Sequence, residues 1–304
     1  MSTGAAMGDG VITLRDGRVL AYREYGPPEG TPLVYCHGFP GSRMEAGLAE
    51  DAAAGQGIRL IAVDRPGFGG SGYQPGRRIM DWPGDVLQLM ERLELPRFGV
   101  LGVSGGAPYA LACGAALPGS VARVGVVCGI GPTGSMAWRR RLSLQRAVLA
   151  LSRRVPGAGR ALCVAISVAV RRAPPLALGF LGASPPDRRV LADVGVRRAL
   201  LRSMQEAFRA GSRGPAHDLM LLIRPWGFRS EDVSVPVHLW HGELDAVVPA
   251  SATRRQERLL PRPSTHYYAG DGHYSIVLHH MGEILGALIP GRDAPRRAQG
   301  SPGT

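Results

Sequence analysis

The sequence predicts an α/β protein with a mostly parallel β-sheet, helices on both faces and a mainly helical insertion. Short continuous apolar runs alternate with segments whose apolar residues recur at helical spacing, which is typical of a parallel sheet covered on both sides. This alternation stops after Gly129 and resumes near residue 232. Hydrophobic residues make up 45% of the 304 residues, enough for one large core.

The first part of the chain supplies most of the predicted sheet. Residues 11–14 and 19–25 are predicted to be strands joined by a turn at Asp16 and Gly17. Further strands are predicted at residues 32–36, 59–64, 97–103 and 121–128, with helices at residues 44–55, 79–93 and 106–117. Strands separated by helices are expected to lie parallel.

The second part of the chain begins with helical patterning alone. Helices are predicted at residues 142–151, 161–170 and 190–210, with prolines as breakers between them. Strands at 236–240 and 265–268 and helices at 251–260 and 274–288 complete the sheet. We therefore predict a core of residues 11–130 and 232–289, a helical insertion at 131–231, and a disordered tail at 290–304 rich in Pro, Gly and Arg.

The charge is concentrated in the insertion. All 36 basic residues are arginine, and the formal net charge is +12. Residues 131–230 contain 18 arginines and four acidic residues, a local net charge of +14, so the rest of the chain is close to neutral. No nucleic-acid module or aromatic-interleaved basic patch accompanies these arginines, so nucleic acid is not an expected partner.

The cysteines, the first ten residues and the longest apolar run indicate where in the cell the protein is expected to be. The four cysteines lack CxxC or metal-ligand spacing, which indicates reduced thiols in a cytoplasmic protein. Residues 1–10 lack the basic and apolar regions of a signal peptide. The apolar run at residues 161–170 is too short to span a bilayer, and membrane-surface attachment of its helix is a weaker alternative. No clustered His, Asp and Cys ligands are found in the sequence, so no metal or organic cofactor is predicted.

A serine lies between a predicted buried strand and a predicted helix. Residues 102–106 read GVSGG and match G-x-S-x-G around Ser104. A sharp turn there would present the hydroxyl at the edge of the sheet, beside the amino end of the following helix. We interpret Ser104 as a nucleophile rather than an idle serine in a Gly-rich turn.

A serine hydroxyl needs a base and an orienting carboxylate. His273 follows the last predicted strand on a short loop and is the best base among the eight histidines. Asp245 holds the matching place one strand earlier, with Glu243 as a rival in the same turn. The chain order Ser, Asp, His is the order expected for a nucleophile of this kind.

An oxyanion hole requires two N–H donors aimed at the developing charge. We predict Gly105, which follows the nucleophile, and Phe39, in the Gly-rich loop after the strand at 32–36. His37, in the same loop, is interpreted as a structural residue that bonds backbone rather than as a second base.

Five segments together resemble the signatures of the α/β-hydrolase fold superfamily, in its cap-bearing serine hydrolase branch. They are HGFPGSR (37–43), DRPGFGGSG (64–72), GVSGGAPYALA (102–112), HGELDAVVP (241–249) and GDGH (270–273). By position, Ser104, Asp245 and His273 resemble the family triad, and Phe39 and Gly105 its oxyanion donors. Epoxide hydrolases and dehalogenases of this fold use an aspartate as the nucleophile. Ser104 at that position therefore argues against membership in either group. Asp64 and Arg65 are interpreted as structural.

The resemblance implies that the insertion forms a lid that sets substrate size and polarity. Its arginines suggest an anionic acyl substrate, such as a CoA-linked thioester. A solvated outer face of the lid helices is the interpretation that we favour.

The resemblance and the triad together predict a serine hydrolase that cleaves a carboxylic ester or thioester of a small molecule through an acyl-enzyme on Ser104. Hydrolysis of a C–C bond by the same triad is an alternative. A ligand receptor without catalysis is the non-enzymatic alternative.

Overall fold

The structure is a computed structural model that describes residues 8–132, 155, 157–179 and 184–291, and its strands form one eight-stranded sheet. The strands are β1 (Asp9–Thr13), β2 (Val19–Tyr25), β3 (Thr31–Cys36), β4 (Ile58–Val63), β5 (Phe98–Val103), β6 (Val121–Val127), β7 (Val237–Gly242) and β8 (Pro263–Tyr268). Their order is β1-β2-β4-β3-β5-β6-β7-β8. β2 pairs antiparallel with β1 and β4, and the remaining pairs are parallel. The predicted fold class is confirmed.

Helices cover both faces of this sheet. The helices of the described residues are α1 (Glu50–Gln56), α2 (Trp82–Arg92), α3 (Ala107–Ala116), α4 (Ala158–Arg172), α5 (Pro174–Gly179), α6 (Pro185–Val190), α7 (Val194–Ala207), α8 (Arg213–Leu222), α9 (Ser251–Leu259) and α10 (Ser275–Ala287). α2 and α3 pack with Val34 and Val100 on one face, and α1 and α10 pack with Leu33 and Leu101 on the other. Neighbouring residues of a strand thus enter opposite cores, which explains why these strands are apolar throughout.

Several helices differ from their predicted bounds. The predicted helix at 44–55 begins as a 3-10 turn over Arg43–Ala49 and becomes α-helical only at Glu50. The predicted helix at 190–210 is wrong at its start, because Asp193 is extended and its carboxylate caps α7 by accepting the Val196 N–H at 2.9 Å. α5, α6 and α8 were not predicted. The predicted helix at 142–151 and most of the predicted tail lie outside the described residues.

The described residues between β6 and β7 form helices α4 to α8 and no strand. Within the described ranges, no helix combines the length and the apolar character needed to cross a membrane. All four cysteines are buried and free, as the sequence indicated. The division into a core and an inserted unit stays a prediction.

Candidate active site

The loops that carry the predicted site residues all follow strands. Ser104 directly follows β5, and Phe39 lies in the loop after β3. Asp245 lies in the loop after β7, and His273 in the loop after β8. Because β3, β5, β7 and β8 run parallel, their carboxyl ends meet at one edge of the sheet.

Ser104 occupies a sharp turn between β5 and α3. Its φ is 52°, a left-handed conformation that is uncommon for a residue other than glycine. A Cβ at Gly102 would lie 2.6 Å from Gly106 O, and a Cβ at Gly106 would overlap Cys36 O. The two glycines therefore allow β3, β5 and α3 to approach closely, and the turn leaves the Ser104 side chain half-buried at the sheet edge.

Asp245 and His273 are joined by a hydrogen bond in which Nδ1 lies 2.7 Å from Oδ2. Oδ1 of Asp245 accepts the N–H groups of Val247 and Val248, each at 2.8 Å. His241 Nε2 lies 3.3 Å from Oδ2. With Asp245 ionised, the neutral His273 ring carries its proton on Nδ1, so Nε2 is the ring nitrogen able to accept a proton.

Asp245 and His273 shift each other's pKa. Burial opposes ionisation of Asp245, but the charges and hydrogen bonds of His273 and His241 outweigh it and hold the pKa of this carboxyl well below its ordinary value. Burial likewise opposes protonation of His273. The charge and hydrogen bond of Asp245, with smaller contributions from Asp187 and Glu45, nevertheless raise the pKa of the imidazole above its ordinary value.

The other candidates for base and acid lie elsewhere. Glu243 is exposed, and Arg254 donates to its carboxylate at 2.7 Å. Asp271 binds His279 and His280 through one oxygen each, at 2.8 Å. This set contradicts the expectation that no His and Asp ligands cluster, because α10 begins at Ser275, just after Asp271, and places both histidines within reach of its carboxylate. Each oxygen–nitrogen contact in it is a hydrogen bond, which accounts for the cluster without an ion.

Ser104 and His273 line one cavity of about 70 Å³. Other lining residues are Phe39, Glu45, Val196, Leu200, Met204 and Tyr274. Asp245 and His273 are in direct contact, whereas Ser104 and His273 share the cavity without a direct hydrogen bond. Catalytic hydrogen bonds are often long before a substrate binds, so this arrangement is compatible with proton transfer between them.

The predicted oxyanion donors are neighbours. A Cβ added at Gly105 would lie 3.2 Å from the backbone nitrogen of Phe39. Within the described part of the chain, the Phe39 N–H donates to no other protein group. The Phe39 N–H is therefore available next to Gly105, the residue that follows Ser104.

Buried polar residues fix the loop that carries Phe39 through hydrogen bonds to its backbone. His37 donates from Nδ1 to Gly38 O at 2.9 Å, and burial keeps the pKa of this ring well below its ordinary value. Arg65 donates to His37 O at 2.5 Å and to Gly38 O at 3.2 Å. Arg65 also pairs with Asp218 of α8 at 2.9 Å, so a residue of the predicted insertion helps to fix this loop.

Two residues of the site were missed by sequence reasoning. Glu45 accepts the Gly38 N–H and the Tyr35 hydroxyl, each at 2.9 Å, and burial raises the pKa of its carboxyl. An acid inside a predicted helix carries no signal for such a contact. Asp187 binds the His273 loop from α6. Its spacing from Ser184 marks a helix start, but no local pattern indicates the distant contact.

Comparison with known proteins identifies the family. The model of the alpha/beta hydrolase family matches residues 33–287, and the chain therefore belongs to this family. A non-heme chloroperoxidase of Streptomyces lividans is 34% identical over 125 residues, which are 40% of this chain and 45% of that protein. The matched segment thus covers less than half of this relative.

Two solved esterases share the fold at low identity. The esterase from Rhodococcus sp. ECU1013 has a TM-score of 0.64 at 23% identity, covering 93% of this chain and 98% of that one. The esterase from Exiguobacterium antarcticum has a TM-score of 0.69 at 17% identity, covering 93% and 99%. The predicted family resemblance is confirmed.

Proposed function

We propose that the protein is a serine hydrolase that cleaves a small carboxylic ester or thioester through an acyl-enzyme on Ser104. The observation that carries this proposal is the buried Asp245–His273 hydrogen bond of 2.7 Å beside a cavity that also contains Ser104. The left-handed backbone of Ser104, the closeness of Gly105 to Phe39 and the unpaired N–H of Phe39 support it. Family membership and the esterases of the same fold agree with it.

The first half-reaction acylates the serine. His273 Nε2 accepts the proton of Ser104 Oγ as this oxygen bonds to the substrate carbonyl carbon. The carbonyl oxygen becomes an oxyanion held by the N–H groups of Phe39 and Gly105. Nε2 then donates its proton to the leaving alcohol or thiol. The bond between that group and the acyl carbon breaks and leaves an ester on Ser104.

The second half-reaction releases the acid. His273 Nε2 accepts a proton from water as the water oxygen attacks the acyl carbon, and the same two N–H groups hold the second oxyanion. The proton then returns to Ser104 Oγ as the acyl–oxygen bond breaks. Throughout both halves, the Asp245 carboxylate keeps the Nδ1 proton in place and stabilises the imidazolium.

The cavity indicates the kind of acyl group. At about 70 Å³ it is roughly half the size of a cavity of about 150 Å³ that accommodates benzene, which favours a short acyl chain over an aromatic one. Its lining includes Glu45 and, among the described residues, no arginine. The described arginines of the insertion are all exposed except the half-buried Arg197. We therefore favour an uncharged short-chain substrate and a solvated outer face for the arginines.

A covalent probe tests the nucleophile. A fluorophosphonate should label the wild-type protein on Ser104 and should not label Ser104→Ala. Loss of the nucleophile in a serine hydrolase can cost about 10⁶-fold in kcat, so ester hydrolysis by the variant should fall to background. A folded wild-type protein that resists the probe would favour the receptor alternative.

A substrate pair tests the acyl preference. Acetyl and benzoyl esters of 4-nitrophenol share a leaving group and differ only in the acyl part. We expect a higher kcat/KM for the acetyl ester. Equal or faster turnover of the benzoyl ester would show that the cavity beside Ser104 does not limit the acyl group.

A further inference from the structure

Asp187 is a buried carboxylate that reaches from α6 to the loop carrying His273. It has 0% exposure, although it lies in the predicted insertion and is followed by two exposed arginines. Its Oδ2 lies 3.0 Å from the His273 nitrogen, and its Oδ1 lies 2.8 Å from that of Tyr274 and 3.0 Å from that of Ser275. All three contacts are N–H groups that donate to the carboxylate.

These donors are the first N–H groups around the start of α10. Such groups have no partner within the helix, so a carboxylate there satisfies them and interacts favourably with the helix dipole. Asp187 is itself held in place, because Ser184 Oγ donates to Oδ2 at 2.7 Å. The carboxylate thus fixes the backbone of His273, while Asp245 fixes its ring.

Gly272 shows how closely the two segments fit. A Cβ at this position would overlap both Ser184 Oγ and Asp187 Oδ2. Gly272 is not among the residues with positive φ, so its backbone would accept alanine. Close approach of α6 is therefore the reason that this position needs glycine.

We propose that Asp187 is a positioning residue that sets the general base of the active site and makes its geometry depend on docking of α6. The inference rests on the proposed function, since it acts through His273. The negative charge of Asp187 also adds to that of Asp245 in favouring the protonated imidazole. The other titratable groups around His273 are Cys128 of the loop after β6, Glu45 and Tyr274.

The test compares Asp187→Asn with Asp193→Asn. Both variants remove one carboxylate from the insertion, but Asp193 is exposed and caps α7, a role that asparagine also fills. For Asp187→Asn we expect kcat to fall by up to about 100-fold, because small displacements of a catalytic group have effects of this size. We also expect the acid limb of kcat/KM to move to lower pH, since His273 loses a neighbouring negative charge. Asp193→Asn should match the wild type.

The His273 pKa should be measured by NMR in the same three proteins. A lower pKa in Asp187→Asn than in Asp193→Asn supports the inference, even if the fluorophosphonate fails to label Ser104 and the proposed function falls. A folded Asp187→Asn protein with the kcat, acid limb and His273 pKa of Asp193→Asn would overturn it.

Gly272→Ala serves as a second variant in case Asp187→Asn does not fold. Its methyl group displaces the carboxylate without removing the charge. We expect lower kcat than in the wild type, with the overall fold retained by circular dichroism. A folded Gly272→Ala protein with wild-type kcat would show that the fit between α6 and the loop does not position the base.

Discussion

His273 is fixed at two points, its ring and its backbone N–H, by two carboxylates on different parts of the chain. Asp245 binds the ring at Nδ1, Asp187 binds the backbone N–H, and Asp187 also binds the two following N–H groups. An imidazole on an exposed loop would lose side-chain conformational entropy when a substrate binds. Here that freedom is already lost in the folded protein, and such preorganisation would favour the proposed catalysis.

The first prediction concerns pH. Because neutral His273 is the proposed base and its pKa is raised, kcat/KM should fall as the pH drops through a value above the ordinary histidine pKa of about 6.5. The measurement is a kcat/KM profile between about pH 5 and 9, a range that brackets the ordinary titration of histidine.

Asp245→Asn should reduce kcat by about 10⁴-fold, because the His273 ring loses its orienting carboxylate.

Glu243→Gln is the matched control for Asp245→Asn. Glu243 lies two positions away in the same loop, but it is exposed and paired with Arg254. This variant should keep the wild-type rate and profile. A large loss of activity in Glu243→Gln, with little in Asp245→Asn, would reverse the assignment of the acid.

The helix α7 forms one wall of the cavity. Val196, Leu200, Ser203 and Met204 of this helix line the cavity opposite the strand ends. Ser203 Oγ also accepts the Ser42 N–H at 2.9 Å, which ties α7 to the segment after β3. A helix of the predicted insertion thus lines the cavity, where its side chains would set the acyl length of the proposed substrate.

The second prediction follows from this wall. Leu200→Ala should enlarge the cavity and raise the ratio of kcat/KM for a butanoyl ester to that for an acetyl ester, by up to about 10-fold for methylene-sized changes. Val194→Ala removes an exposed side chain at the start of the same helix and should leave the ratio unchanged. An unchanged ratio in Leu200→Ala would remove α7 from the determinants of acyl length.

The four acidic residues at positions 131–230 of the predicted insertion all have structural partners. Asp187 binds the His273 loop, Asp193 caps α7, Glu206 pairs with Arg43 at 2.6 Å, and Asp218 pairs with Arg65. Three of the four therefore contact residues outside the insertion. Because Asp187, Glu206 and Asp218 are turned toward the rest of the protein and only Asp193 is exposed, the arginine excess remains on the surface.

The third prediction tests how much the contact between Asp218 and Arg65 stabilises the protein. Asp218 is fully buried between Arg65 and Arg77 and accepts the Tyr109 hydroxyl at 2.5 Å. Asp218→Asn leaves two buried arginines undercompensated and should lower the free energy of unfolding by about 3–5 kcal/mol. Urea unfolding at neutral pH measures this. The exposed Asp193→Asn variant should change the free energy of unfolding far less.

Asp218 also makes the free energy of unfolding depend on pH. Burial opposes its ionisation, but Arg65 and Arg77 outweigh burial and lower the pKa of Asp218 to about 2. An unfolded Asp titrates near 3.9, so this stabilisation is fully present above about pH 4 and is lost as the pH falls toward 2. The stability difference between the wild type and Asp218→Asn should shrink over that interval. A constant difference would contradict the assignment of the charge to Asp218.

The strands and the loops that follow them were predictable because their signals are local. β3 to β6 are continuous apolar runs that differ from their predicted bounds by at most a residue. Ser104, Asp245 and His273 each follow a strand, so a parallel sheet places them at one edge. The helix start at Asp193 was less predictable, because a capping side chain competes with helical periodicity. α1 begins at Glu50 without a side-chain cap, and the 3-10 segment Arg43–Ala49 before it accounts for the later start.

The amino-acid sequence by itself determined the fold class, the family and the candidate triad, because each depends on periodicity or on short motifs beside strand ends. Only the tertiary structure placed Glu45 against Gly38, and Asp187 against His273. In the latter pair 86 positions of chain separate the two residues. Buried carboxylates find their donors through packing of distant segments, and no local pattern records which backbone N–H groups a folded chain leaves unpaired.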